Sequence, residues 1–287
     1  MPQPITATND FVVKFANVNG SGSASANGLF AKSILRMGIP IASRNIFPSN
    51  IQGLPTWFEV RVSEAGHMGR RGGVDMMVAM NPQTWDRDLA EIEPGGYLLH
   101  DSTKPLPASK LRADVHTIGV PLTAICNAAW SEPRERQLLK NIMYVGVLAA
   151  LIGIDPAVIA QLVGEQYRGK EKLLTPNLDA FRKGYHYARE HLDDALGLRV
   201  RRAANIGERI FVDGNSAAAL GCVYGGATVC AWYPLTPSSS VAEAFRKYCA
   251  KLRVDRDSGE NRFAIVQAED ELASIGMVVG AGGNGAR

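Results

Sequence analysis

Two places in the sequence gather residue types that do chemistry at a useful spacing. The first is Asn19-Gly20-Ser21-Gly22-Ser23-Ala24-Ser25, between the apolar run Phe11 to Val18 and the periodic stretch Asn27 to Arg36. Glycine between a strand and a helix lets backbone amides approach an anion, and the helix N-terminus favours negative charge, so this is a candidate phosphate cradle. The dinucleotide fingerprint is incomplete. Gly20 and Gly22 supply the first two glycines of G-x-G-x-x-G, but Ser25 stands at the third. Arg44 lies at the end of the next strand, where an acidic residue would read an adenosine ribose. NAD is therefore disfavoured. NADP held through Arg44, a ligand-free tight turn and another phosphate-bearing ligand remain open.

The second place is Gln267-Ala-Glu269-Asp270-Glu271, which follows the strand-like FAIVQ and opens an otherwise apolar helix, LASIGMVVGA. A carboxylate in apolar surroundings is suited to proton chemistry; a solvated glutamate at a helix start, where negative charge is favoured anyway, is the alternative. Asp270 reads as a helix cap and Glu269 as a solvent or interface residue. Upstream, Pro234 and Pro237 flank Thr236 and limit where its hydroxyl can point, although the same run is also a turn that opens a helix. His186 and His191 are five apart and do not share a helical face as a metal pair at i, i+4 would. His67, His100 and His116 are isolated and read as structural. Asp101, at a strand end, is a further candidate. Cys126, Cys222, Cys230 and Cys249 lie far apart with no C-x-x-C pair, which points to buried, reduced thiols and no metal site.

Strands are expected at 11–18, 58–62, 74–80, 97–100 and 115–120, alternating with helices, which implies a largely parallel sheet. Residues 132–153, 156–164 and 175–196 read as helices, the last with Leu178, Phe181, Tyr185, Ala188 and Leu192 at spacings of three and four. A basic connector, Leu198 to Arg209, separates this unit from a second one. There Arg209 to Asp213 leads into Gly214 to Tyr224, followed by strand 227–232, helix 238–252, strand 263–267 and helix 270–281. The division falls at 1–200 and 201–287. The second unit has too few strands to bury an α/β core of its own, so it is expected to be part of a domain or to depend on a partner.

With 287 residues, 46% of them hydrophobic and 21% charged, the chain is globular in composition, and a formal charge of +3 leaves no footprint for nucleic acid. The longest apolar run, Ile142 to Ile154, is shorter than the roughly 20 residues of a membrane span and reads as a buried core helix. The N-terminus lacks the pattern of a secretion signal, so a cytoplasmic protein is expected.

The blocks Val18 to Gly28, Arg44 to Gly53 and Phe58 to Ser63 resemble the gamma domain of 2-oxoacid:ferredoxin (acceptor) oxidoreductases, and Asn141 to Gly153 is similar to that domain's long core helix. The blocks GNSAAALG (214–221), WYPLTPSS (232–239) and QAEDELASIG (267–276) resemble the opening of the family's pyrimidine-type thiamine diphosphate domain. The resemblance implies an α/β protein, a Rossmann-like gamma domain followed by an incomplete thiamine-type domain. It implies a subunit that decarboxylates a 2-oxoacid oxidatively to an acyl-coenzyme A and passes electrons to ferredoxin. In that family a second, beta-type subunit binds the diphosphate with magnesium and carries the iron–sulfur clusters. Thr236 would then hydrogen-bond the 2-oxoacid, Glu271 would contact N1′ of the aminopyrimidine, and Tyr233 and Pro234 would adjoin the cofactor. Asn19, Gly20, Ser21, Gly22, Ser23, Pro48 and Ser49 would face coenzyme A, with Arg70 and Arg71 as further candidates for its phosphates. The rivals are an NADP-dependent dehydrogenase and a non-catalytic binding or assembly subunit.

Overall fold

The computed structural model describes residues 3–48, 51–192, 196–235 and 238–287, in two units, 1–209 and 210–287. The first unit opens with a two-residue strand β1 (Ala7–Thr8) and then β2 (Asp10–Val18). In β2 the apolar side chains alternate: Phe11, Val13 and Phe15 enter one core, Val12 and Ala16 another. A strand buried on both faces belongs inside a sheet that is covered on two sides. Helix α1 (Ser23–Arg36) follows, then β3 (Ile41–Ile46), β4 (Pro55–Ser63), β5 (Val74–Ala79), the short helix α2 (Trp85–Ala90), β6 (Ile92–Asp101) and β7 (His116–Val120). Helices α3 (Leu122–Ala129), α4 (Pro133–Ile152), α5 (Pro156–Gln166) and α6 (Glu171–His191) come next, and β8 (Leu198–Arg199) pairs in parallel with β1.

The six-stranded sheet has the order β3-β4-β2-β5-β6-β7. Strands β2, β5, β6 and β7 are parallel, as the alternation of strands and helices implies. The other two pairings are antiparallel. Residues 47–54 join β3 to β4, too few for the dozen or so that a parallel crossover needs. The Phe15 face is covered by residues of α1, α4, α5 and α6, the Val12 face by Leu89 of α2. Lys14 interrupts the apolar alternation. It is 1% exposed and forms an ion pair with Glu91 beside the Trp57 ring, 5.9 Å from the centroid.

Helix α4 is the buried helix expected from its apolar run, with residues from Leu139 to Ile152 enclosed along most of its length. Its contact with α6 is close because both helices present glycine. A Cβ on Gly146 would lie 2.2 Å from the Phe181 carbonyl oxygen, and one on Gly184 would lie 2.0 Å from that of Met143. Helix α6 starts at Glu171, earlier than the expected residue 175, and takes Pro176 into its second turn. The proline removes one donor near the helix start, where the cost is smaller than in mid-helix.

The second unit contains α7 (Gly214–Tyr224), β9 (Val229–Trp232), α8 (Ser239–Leu252), β10 (Ala264–Gln267) and α9 (Glu271–Gly283). Strands β9 and β10 are parallel neighbours, with Trp232 opposite Gln267. The core is small, built on Ala219, Val223, Phe245 and Cys249. Arg209 to Asp213, which reads as a lead-in to this unit, is irregular and exposed at Ile210. Helix α9 holds apolar side chains in water: Leu272 is 84% and Val279 69% exposed. The cysteines correct one expectation. Cys126 and Cys249 are buried and Cys230 is half-buried, but Cys222 is exposed, because Ala219 and Val223 set the inward face of α7 and Cys222 falls beside it. No helix among the described residues is long and apolar enough to cross a membrane.

The glycine contact yields a stability prediction. Gly146→Ala and Gly184→Ala should each push α4 and α6 apart at a cost of about 1–3 kcal/mol, read as a lower midpoint in urea unfolding. An unchanged midpoint would show that the helices have room to spare.

Candidate functional site

At the end of β2 the chain turns through Asn19–Gly22 and enters α1 at Ser23, earlier than the helical periodicity suggests, so Ser23 is buried in the first turn. Gly20 and Gly22 have φ of 81° and 80°, a backbone region that costs other residues energy. A Cβ on Gly22 would also lie 2.3 Å from Leu138 Cδ2. No side chain caps α1, which leaves backbone donors at its start. Asn19 ties this turn to the segment before β4: its amide donates to the Leu54 carbonyl (2.8 Å), its carbonyl accepts from the Gly53 amide (3.0 Å), and its Nδ2 donates to the Ile51 carbonyl (3.2 Å). Asn141 of α4 donates to the Ser21 carbonyl at 2.8 Å. The Ser21 hydroxyl is enclosed with no hydrogen-bond partner. Pro48 is exposed just beyond β3. Ser49 lies outside the described residues. Beside the turn is a cleft of about 550 Å³ whose walls include Gly22, Ser25, Leu138, Ile142, Tyr167 and Leu173.

The arginines singled out in the sequence are already engaged. Arg44 Nη2 lies 3.2 Å and Arg70 Nε 3.6 Å from Glu59 Oε1, and Arg71 pairs with Asp75. Arg44, the residue on which the NADP reading depends, thus holds a carboxylate. His191 stacks on Tyr187 with centroids 4.5 Å apart, and His186 meets Tyr185 edge-on.

A polar cluster closes the carboxyl end of β6. Asp101 accepts from the Thr103 hydroxyl (2.7 Å) and amide (3.1 Å), from the Thr123 amide (3.2 Å) and from the Thr123 hydroxyl, with Lys140 Nζ at 3.5 Å. Burial pushes its pKa up, but the hydroxyl and amide donors and Lys140 outweigh burial and hold it below the ordinary 3.8. Burial lowers the neighbouring His100 and raises the Cys126 thiol to about 11. Asp101 could be singled out in the sequence as a strand-end carboxylate. Thr123 and Lys140 could not, because only tertiary contact brings them to it.

In the second unit the three sequence blocks meet. Asp213 Oδ1 accepts from the Ser216 amide and caps α7, and Asn215 Nδ2 donates to Ser240 Oγ at 2.7 Å, which joins the starts of α7 and α8. The Ala268 amide donates to the Trp232 carbonyl at 2.8 Å, which ties the chain leaving β10 to the chain leaving β9. Tyr233 and Pro234 are therefore held at the carboxyl end of this parallel pair together with the turn that leads to Glu271. Carboxyl ends of parallel strands are where ligands bind in such sheets. Asp270 caps α9, accepting from the Ala273 amide at 2.6 Å, so Glu271 occupies the first turn, exposed and acidic. The Trp232 indole N–H is enclosed and unpaired. Thr236 lies outside the described residues. Among the described residues no group of three or more His, Cys, Asp or Glu could hold a metal ion.

A Rossmann-like unit with a glycine turn, followed by a parallel pair with a carboxylate at its carboxyl end, defines a two-part α/β protein. Residues 12–187 match the pyruvate ferredoxin/flavodoxin oxidoreductase family, and the chain belongs to it. Residues 220–287 match the thiamine diphosphate-binding domain of pyruvate flavodoxin/ferredoxin oxidoreductase. The alpha subunit of 2-oxoacid:ferredoxin oxidoreductase 2 from Aeropyrum pernix is 26% identical over 93% of this chain and 48% of its own length. The 2-oxoglutarate oxidoreductase subunit KorA of Mycobacterium tuberculosis is 23% identical over 96% and 45%. Among solved structures, the 2-oxoglutarate:ferredoxin oxidoreductase from Magnetococcus marinus, with 2-oxoglutarate, coenzyme A and succinyl-CoA bound, aligns with a TM-score of 0.78 and 26% identity, covering 97% of this chain and 46% of that one. The gamma subunit of a keto/oxoacid ferredoxin oxidoreductase from Geobacter sulfurreducens, 20% identical with a TM-score of 0.50, shares the fold over 63% of this chain and 99% of its own. The chain spans about half the length of these curated relatives, which it matches over more than nine-tenths of its own length.

The Asp101 cluster gives a pH prediction. A depressed folded-state pKa contributes stability above the unfolded value, and this contribution is lost as pH falls through the folded value. Asp101→Asn should be less stable than the parent by about 1–3 kcal/mol at pH 7, with the gap closing below about pH 4. Parallel denaturant curves at pH 7 and pH 3 check this; a gap independent of pH would remove the charge from the explanation.

Proposed function

We propose that this chain is an alpha-type subunit, or part of one, in a cytoplasmic 2-oxoacid:ferredoxin oxidoreductase that converts a 2-oxoacid, carbon dioxide being lost, and coenzyme A to an acyl-coenzyme A, with two electrons passed to ferredoxin. The observation that carries this reading is the convergence of Tyr233, Pro234 and the Glu271 turn on the carboxyl end of β9 and β10, in the segment that matches the thiamine diphosphate-binding domain. The residues fit that cofactor: a carboxylate at a helix start and an unpaired indole N–H at the strand end offer polar contacts to it.

Bound thiamine diphosphate supplies the electron sink that decarboxylation needs and that side chains lack. The task of Glu271 is to share a proton with N1′ of the aminopyrimidine, an interaction that strengthens when a partner subunit covers the site and excludes water. Tyr233 and Pro234 border the ring, and Thr236 orients the 2-oxoacid. A beta-type subunit completes the site, holding the diphosphate with magnesium and the iron–sulfur clusters that lead to ferredoxin. The Asn19–Ser23 turn, with Pro48 and Ser49, faces coenzyme A; the uncapped start of α1 and the two left-handed glycines support that assignment.

In the assembled enzyme, Glu271→Gln should lower kcat by roughly 10²–10⁴-fold while the subunits still co-elute. Turnover near the parent's would leave the chain a non-catalytic binding or assembly role. Gly22→Ala should raise the KM for coenzyme A and leave that for the 2-oxoacid unchanged, as measured by initial rates; equal effects on both would detach the turn from coenzyme A.

A further inference from the structure

Between α3 and the first turns of α4 lies a cavity of about 250 Å³, separate from the glycine turn, with Thr123, Cys126, Asn127, Arg136, Gln137 and Lys140 among its walls. Two of its wall residues are cations. Arg136 is held in a fixed orientation by neutral acceptors: Nη1 donates to Asn127 Oδ1 at 2.9 Å and Nη2 to the Ser131 carbonyl at 2.7 Å. Among the described residues it has no carboxylate partner. This contrasts with Arg36, Arg44, Arg70 and Arg71, each of which meets Glu or Asp. Lys140 adds a second cation. Its Nζ lies 3.2 Å from the Thr123 hydroxyl and 3.5 Å from Asp101. Asp101 is the one carboxylate in contact with the cavity's cations among the described residues, and it already accepts from both threonines. The walls therefore carry two positive charges, with hydroxyl and amide groups beside them, and one of the two faces a carboxylate, Asp101, that is not itself a wall residue.

We propose that this cavity binds a small oxyanion, a carboxylate or a phosphate, between Arg136 and Lys140. A guanidinium pre-oriented by neutral neighbours spends little entropy on gripping an anion and matches the geometry of both groups. The volume suits a single small metabolite or one anionic group of a larger molecule. The site lies wholly within the first unit and does not depend on the thiamine reading.

The test uses the full chain. Inorganic phosphate and, in a separate arm, 2-oxoglutarate are titrated at constant ionic strength set with sodium chloride, with binding read by calorimetry. Saturable binding of at least one anion is expected, and the arm that responds identifies the source. Arg136→Gln should weaken it at least tenfold, whereas Lys32→Gln, at an exposed position on α1 and outside the cavity, should bind as the parent does. Asn127→Ala keeps the charge but frees its orientation and should weaken binding by a smaller factor; it carries the test if Arg136→Gln does not fold. No saturable binding of either anion, or parental affinity in Arg136→Gln and Asn127→Ala, overturns the proposal.

Discussion

The close approach of α4 to α6 is the contact on which the first unit depends. Two glycines, Gly146 and Gly184, bring helix backbones together where any side chain would hold them apart. Dispersion and burial reward that approach from Leu139 to the end of α4. Its consequences extend beyond packing, because α4 also carries polar side chains at fixed heights. Asn141 fastens the glycine turn through the Ser21 carbonyl, and Tyr144 donates to Asn27 at 2.6 Å beneath the start of α1. Lys140, next to Asn141, and Arg136, about a turn before it, line the neighbouring cavity. A shift of α4 would move all of these together.

The second unit works by a different constraint. Its apolar core is too small to explain why its loops converge, and the ordering comes from backbone hydrogen bonds and caps. The parallel register of β9 and β10 sets two strand ends side by side, Ala268 bridges them, and Asp270 and Asp213 fix where two helices begin. Such an arrangement places a carboxylate by geometry without burying it, so Glu271 remains in water within this chain.

Much of this was legible in the sequence where the physics is local. The strand ending at Val18, the buried helix after Pro133 and the cap at Asp270 each carry a short-range signature: β-branched runs, apolar length with a proline start, and an acidic residue before a helix. The parallel half of the sheet followed from the alternation of strands and helices, but the antiparallel β3–β4 edge depended on a connection too short for a crossover. The start of α1 at Ser23 was obscured because serine and alanine in a glycine-rich run look like loop. Exposure of Cys222 was obscured because helical phase, and not residue type, decides it. Partners remote in sequence, such as Lys140 for Asp101 or Asn215 for Ser240, have no local signal.

Helix α9 displays Leu272, Ile275 and Val279 to solvent along much of its length. An uncovered apolar stripe of that kind is the sort of surface that buries against another surface or, left bare, favours self-association.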